Sequence, residues 1–299
     1  GKFDSQNVAF WDEVHGEYRA YYREFRKGYR DIRTATSKDF KHWGEGEWLD
    51  YGDSPRQHLY TNQVAPYYRA PHLLIGLPGR YKDHGQFDWM KELPEPQQRA
   101  ARAEDRLRYG TALTDTLVMS SRDRQTFHRW DEAFIRPGPQ REGTWYYGHL
   151  FAACGLVETK AAIDGAPGEL SLYAKEGGWT GEDSQLRRYT LRIDGFASVY
   201  ASANVGEMRT RLLTFDGNKL VVNFAGSAGG FMRIAIHDSD DQPIDGFGLD
   251  DCVPILGDSL ERTVRWKNAS DVSKLAGRPI RLRIVVRDTH LYSLQFQGQ

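Results

Sequence analysis

Arg19, Arg23, Arg26, Lys27, Arg30 and Arg33 crowd one short stretch of this chain. The planar fork of arginine suits bidentate binding of a carboxylate or a sulfate. Further on, the stretch Pro78 to Thr114 carries Arg80, Tyr81, Asp83, His84, Asp88, Trp89 and Glu92. These are aromatic faces on which a sugar ring can stack, with carboxylates beside them that can give or take a proton. A third set comes from aligning Asn7-Val-Ala, Gln63-Val-Ala and His149-Leu-Phe as equivalent strands, which puts Asn7, Gln63 and His149 at one level. Amides there can bind sugar hydroxyls, and His149, with a shifted pKa, could serve as a general acid. The competing readings are a solvated charged face for the arginines, a surface excursion for the long stretch, and satisfied polar core positions for the other three.

Short strands must position these groups. Asn7 to Trp11, Glu17 to Phe25, Asp31 to Ser37 and Glu47 to Tyr51 read as a four-stranded meander, with turn residues at Asp12 to Gly16 and Arg26 to Gly28. A second unit runs through Thr61 to Tyr68, His72 to Leu77, Thr116 to Ser121 and Ala133 to Ile135. A third begins at Thr144 to Leu156, continues through Glu169 to Ala174 and closes near Leu186 to Ile193. Ser37-Lys-Asp39-Phe40-Lys-His-Trp43 and Ser121-Arg-Asp123-Arg-Gln-Thr-Phe127-His-Arg-Trp130 repeat one pattern, a Ser/Asp turn followed by aromatics that pack between sheets. A repeated strand-turn unit of this kind marks a propeller blade. Within the long stretch, Pro94 to Arg108 is rich in Ala, Glu, Gln and Arg and predicts a short surface helix.

From about Arg188 the pattern turns to regular alternation, as in Leu220-Val-Val222-Asn-Phe224, Met232-Arg-Ile234-Ala-Ile236 and Ile280-Arg-Leu282-Arg-Ile284. That predicts an antiparallel β-sandwich over 188–299 after propeller blades over 1–187. Gly226-Ser-Ala-Gly229-Gly230 reads as a hairpin turn between two of its strands, not as a phosphate loop. Asp194-Gly195-Phe196, Asp245-Gly246-Phe247 and Asp250-Asp251 are candidates for a structural calcium against the commoner reading as turns; no other metal or cofactor is indicated.

Composition narrows the function. Lys plus Arg (40) nearly cancel Asp plus Glu (41) over 299 residues, which argues against nucleic acid as a partner. There is no run of eighteen apolar residues to span a bilayer. Cys154 and Cys252 fall in what read as different domains, so a disulfide framework is not expected. No charged-then-apolar leader opens the chain, which reads as removal of a signal or a start inside a larger protein.

The run Phe10-Trp11-Asp12, then Glu17-Tyr-Arg-Ala-Tyr-Tyr22, then Ala35-Thr-Ser-Lys-Asp-Phe-Lys-His-Trp43 resembles a blade of the five-bladed propeller glycoside hydrolases of families 32 and 43. Family 32 also carries a β-sandwich after its propeller. The resemblance implies an all-β chain that hydrolyses a glycosidic bond of an oligo- or polysaccharide in a secreted or periplasmic setting. It implies that Asp4, in Phe3-Asp4-Ser5-Gln6-Asn7, is the carboxylate that orients the sugar and stabilises the transition state. This chain departs from the family pattern twice. No carboxylate stands at Tyr60-Thr61-Asn62-Gln63, where the family's general acid would fall, and only about three blades can be read. A missing preceding segment or a second copy of the chain would then complete the propeller. Asp4 and His149 are therefore the expected catalytic groups, with Asn7, Arg23, Tyr60, Asn62, Gln63, Arg80, His84, Trp89 and Tyr147 as substrate contacts, and the arginines favour an acidic or sulfated sugar. The alternatives are a non-catalytic carbohydrate-binding protein and a structural fragment.

Overall fold

The computed structural model describes residues 2–177 and 184–298. The chain is nearly all-β and divides into two compact units, one of residues 1–157 with 170–190 and the other of residues 158–169 with 191–299.

In the first unit, Val8–Asp12, Glu17–Arg26, Tyr29–Ser37 and Glu47–Trp48 form one four-stranded antiparallel sheet in chain order, a sheet of propeller-blade type. Its central hairpin is closed by Lys27 and Gly28, both at positive φ (50° and 84°), with Arg26 opposite Tyr29. That two-residue turn matches the twist of the strands it joins. Side chains alternate in a strand, so Tyr21, Arg23 and Phe25 share a face. Tyr21 is fully buried in a core with Ile32, Leu49, Leu59, Val64, Leu74, Leu117, Met119 and Phe127, and Arg23 is carried inward with it.

The second sheet has the order His128–Arg129, Met119–Ser121, Ala70–Gly76, Ala65–Tyr67. The stretch between its inner strands is more ordered than a loop. Gly79–Lys82 and Leu113–Thr116 pair with each other, and Gly79–Lys82 also pairs with His58–Leu59, as a separate three-stranded sheet. The helix expected within Pro94 to Arg108 runs from Pro96 to Asp105, with Pro at its first position and short 3₁₀ turns at Asp88–Glu92 and Leu107–Gly110. A further pair, Glu169–Glu176 with Gln185–Arg192, lies where the third group of strands is expected. Of its expected first strand, Thr144 to Leu156, only Leu150 to Ala153 pairs, antiparallel with Tyr173 to Lys175, and the part before it is a series of turns. Trp145, Gly148 and Leu150 adopt positive φ there (62°, 83° and 63°), which no strand accommodates.

Both Ser-x-Asp motifs fold alike. The Asp39 carboxylate accepts the Lys41 and His42 amides at 2.9 and 2.8 Å, and Asp123 accepts Gln125 and Thr126 at 3.0 and 2.7 Å. The aromatic half of the pattern diverges: Phe127 is buried, whereas Phe40 is half exposed against Tyr18 and Trp43.

The second copy aims Arg124, which ties two distant segments of this unit together. Its Nε and Nη2 donate to Asp12 at 2.8 and 3.1 Å, both side chains are about 1% exposed, and its carbonyl accepts the Tyr21 hydroxyl at 2.7 Å. Burial alone would raise the Asp12 carboxyl; the Arg124 hydrogen bonds and charge outweigh it and hold the pKa below the ordinary value.

In the second unit the alternating segments pair as expected but are fewer and longer. Lys219–His237 is a single 19-residue strand lying against Arg281–Gln297 along its length. The Gly226 to Gly230 segment is therefore not a hairpin turn. It is a register shift at which one strand bends, so that Leu220, Val222 and Phe224 before it share a core with Met232, Ile234 and Ile236 after it. Only glycine fits there: a Cβ on Gly230 would strike the Asp288 carbonyl oxygen, and one on Gly226 would come within 2.9 Å of Thr289 Oγ1. The bent sheet thus supplies both layers of the antiparallel sandwich.

Removing one partner of a buried ion pair strands the other, so Asp12→Ala should lower the unfolding free energy by about 3–5 kcal/mol in urea denaturation. Because the native Asp12 pKa is depressed, the pair's contribution should be full above pH ~4 and vanish as pH falls through the native value. A change under about 1 kcal/mol would show that the tie is dispensable.

Candidate functional site

Strand register places two arginines on one face of the first sheet. Arg23 lies opposite Ile32 and Arg30 opposite Phe25, which makes Arg23 and Arg30 diagonal neighbours. Both guanidinium groups lie over the Tyr60 ring, at 4.7 and 4.9 Å from its centre, and both approach Phe25, at 5.6 and 5.4 Å. Arg30 also lies 4.9 Å from the Tyr81 ring. Tyr60, immediately after the strand His58–Leu59, meets Tyr81 at 6.5 Å, Tyr147 at 5.7 Å and Phe151 at 5.4 Å. Tyr109 stacks on Tyr147 at 5.2 Å, and Arg108 lies over Tyr109 at 5.1 Å. The result is an aromatic floor with arginines set into it, the arrangement in which cation–π attraction and sugar stacking are both available.

The charges on this floor are poorly compensated. Arg23 is 1% exposed, and its Nε and Nη1 have no hydrogen-bond partner; Nη2 touches Asp4 Oδ2 as an ion pair, not as an aligned hydrogen bond. The Asp4 side chain is itself 65% exposed, so water screens what it gives. Among the described residues no carboxylate forms an ion pair with Arg30, whose Nε is buried without an acceptor. Each such unmet buried donor costs about 1–3 kcal/mol. The second acid near the floor is Asp83, within 3.4 Å of the Tyr81 hydroxyl and accepting the Gly85 amide at 3.1 Å. Burial first, and then the Asp83 charge, push the Tyr81 phenol up to about 12, so it stays a neutral donor.

The other expected site residues divide. Tyr147 and Tyr60 belong to the floor. Asn7 is exposed and donates to the Phe3 and Ser5 carbonyls at 3.1 and 2.8 Å, which shapes the segment that carries Asp4. Asn62 is a structural group and not a substrate contact: it is fully buried, donates to the Tyr21 and Gln6 carbonyls at 3.2 and 3.3 Å, and accepts the Val64 amide. Gln63, at φ 48°, donates to the Ala152 carbonyl at 2.8 Å and to Gln6 Oε1, leaving its own Oε1 buried without a partner. Arg80 is fully spent on Asp115 (2.8 and 2.6 Å), the Asp131 carbonyl and Gln57, so it cannot also bind substrate. His84 is exposed, and Trp89 stacks on Phe87 at 4.7 Å and makes no ring contact with the floor among the described residues.

His149 does not suit a general acid. It is 1% exposed, and burial drives its pKa to about 4, with the Glu176 charge only partly opposing this. Nδ1 accepts the Trp145 amide at 3.1 Å, so the proton sits on Nε2, which has no partner. A neutral imidazole of this kind has no imidazolium proton to deliver near pH 7.

Phe25, Arg108, Tyr109 and Phe151 complete the floor, and the sequence does not single them out. Period-two spacing from Arg23 is the available sign for Phe25; the others lie in turns, where no periodicity operates. The Asp-Gly segments are turns, with Asp194 at φ 60° bonded to Ser293 at 2.6 Å and Gly246 at φ 80°. Among the described residues no three His, Cys, Asp or Glu side chains come together as a metal site, both cysteines are free thiols, and no helix is long and apolar enough to cross a membrane.

No family model and no curated protein sequence matches this chain. Among solved structures it is similar to an N-acetylgalactosamine deacetylase from F. plautii in complex with blood group B trisaccharide, at 10% identity and TM-score 0.36 over 62% of this chain and 48% of that one. It is also similar to a glycoside hydrolase family 43 arabinoxylan arabinofuranohydrolase from Bacillus subtilis, at 9% identity and TM-score 0.25 over 99% and 54%, and to a fructofuranosidase from Schwanniomyces occidentalis complexed with fructosylnystose, at 9% and 0.29 over 96% and 93%. The chain thus spans about half the length of the first two. Scores this low support no transfer of activity, and the functional reading rests on the residues of this chain.

Burial of His149 has a pH signature. The unfolded state takes up its proton near pH 6.5, while the native ring stays neutral to about pH 4, so this residue should make stability fall as pH drops between those values. Nitrogen-15 NMR should show a neutral Nε2–H tautomer at pH ~5.5, between those two values. A ring that titrates near 6.5 would overturn the assignment.

Proposed function

We propose that this protein acts on the glycosidic bond of an oligo- or polysaccharide, with a preference for acidic or sulfated sugars. The observation that carries the reading is the Tyr60, Tyr81 and Tyr147 floor holding two buried guanidinium groups, with an exposed carboxylate on Arg23 and another at Tyr81. An aromatic floor fits the apolar face of a sugar ring, and Arg23 and Arg30 fit its acidic substituent. Glycoside hydrolysis breaks the bond between the anomeric carbon and the leaving oxygen; water supplies a hydroxyl to the carbon and a proton to the oxygen. Asp83 is the group assigned to that proton. Asp4 is assigned to orient the ring and stabilise positive charge at the anomeric carbon. A secreted or periplasmic setting, where such polymers are met, belongs to the same reading.

A specific observation favours a second reading, that of a non-catalytic sugar-binding protein: the inner segment Tyr60 to Gln63 carries no carboxylate, and Asn62 and Gln63 are committed to backbone contacts. The two readings separate on a panel of neutral, uronic and sulfated glycans. Catalysis predicts that Asp4→Asn and Asp83→Asn each lower kcat/KM by roughly 10²-fold or more while circular dichroism stays native. Binding without turnover by a native wild type would establish the second reading.

A further inference from the structure

The Asp4–Arg23 contact has the features of a stand-in. Asp4 sits between Phe3 at φ 60° and Ser5 at φ 93°, left-handed conformations unusual for residues with a side chain. The segment is held by the Phe3 amide on the Arg23 carbonyl (3.0 Å) and the Ser5 hydroxyl on the Tyr60 carbonyl (2.8 Å). Beneath it, Arg23 is 1% exposed, its guanidinium lies over Tyr60, and Nε and Nη1 have nothing to receive their protons. Asp4 thus meets one edge of Arg23 from an exposed position, and among the described residues Arg30 has no ion pair. A site of this kind is short of one negative charge with at least two acceptor oxygens.

We propose that the oxyanion of a ligand, a carboxylate or sulfate carried on a sugar, enters over Tyr60 between Arg23 and Arg30 and displaces Asp4 from Arg23. The incoming group supplies negative charge and takes the Nη2 edge that Asp4 vacates, together with the neighbouring free Nε–H donor; Asp4 is released to face the sugar ring. The charge of the substrate therefore governs the availability of the carboxylate, and acidic sugars are favoured through turnover as well as through binding. The anion site and the displacement stand on geometry alone, whereas the use made of the released carboxylate rests on the glycosidase reading above.

Isothermal titration of the whole chain with sodium sulfate, with sodium glucuronate and with glucose tests this directly, using wild type, Asp4→Asn and Arg30→Gln. The expected result is that sulfate and glucuronate compete for one site and glucose does not bind it. Removing the internal competitor in Asp4→Asn should tighten sulfate roughly ten-fold, and Arg30→Gln should weaken it by a similar factor. Arg30→Lys, which keeps the charge without the fork, should fall between and guards against a variant that fails to fold. Sulfate binding that is unchanged or weaker in Asp4→Asn overturns the proposal. So does equal binding by wild type and Arg30→Gln, which would mean an adventitious ion only. Failure of the glycosidase reading would look different: the sulfate pattern would hold and no glycan would be cleaved.

Discussion

The buried, two-toothed bond between Arg124 and Asp12 is the constraint from which the first unit takes its order. It joins residues 112 apart in the chain, and the same Arg124 binds the His72 carbonyl and receives the Tyr21 hydroxyl. Two sheets are thereby held at one spacing, with Tyr21 pinned in the core between them. Strand alternation then leaves little choice: two residues beyond Tyr21, Arg23 must point inward, and its diagonal neighbour Arg30 must do the same. The buried cations of the site are a geometric consequence of how the core is tied.

Two pairs among the buried arginines of this unit contrast. Arg124 and Arg80 each have a bidentate carboxylate, Asp12 and Asp115, and spend their remaining donors on backbone carbonyls. They are structural groups, fully answered within the protein. Arg23 and Arg30 have aromatic rings in place of acceptors. Cation–π attraction offsets part of the cost of burying them and leaves their hydrogen-bonding edges unmet. Single unmet guanidinium nitrogens also occur at Arg19, Arg33, Arg99 and Arg108; Arg23 differs in that none of its three has a hydrogen-bond partner.

The features legible in the sequence were mostly local ones. The turn residues at Asp12 to Gly16 and Arg26 to Gly28 bound the strands around Tyr21 and Ile32, the two Ser-x-Asp turns fold as their spacing implies, and the helix begins at Pro96 within its expected range. Distant partners decide the rest. Arg80 was expected to meet substrate, but Asp115 claims it from across a hairpin whose closure is invisible to periodicity. Thr144 to Leu156 reads as one strand, yet only Leu150 to Ala153 pairs, with Tyr173 to Lys175, while the carbonyls of His149 and Leu150 accept the Thr114 and Thr116 hydroxyls. At Gly226 to Gly230 the glycines signalled a break correctly, but the sharp bend occurs within one strand and not between two. The arginine crowd was legible as charge; which of its members lack a counter-charge was not, because that depends on Tyr60, Tyr81 and Asp4 arriving from three other segments.

On the proposed reading, an acidic sugar binds on the Tyr60 floor with its charge on Arg23 and Arg30. A crystal structure of the protein soaked with a glucuronate-bearing oligosaccharide tests it most directly. The account predicts the carboxylate between the two guanidinium groups, the ring against Tyr60, and Asp4 moved off Arg23. A sugar bound instead in the roughly 470 Å³ cavity lined by Glu95, Arg141 and Glu176, or a bound sugar with the Asp4–Arg23 pair intact, would contradict it.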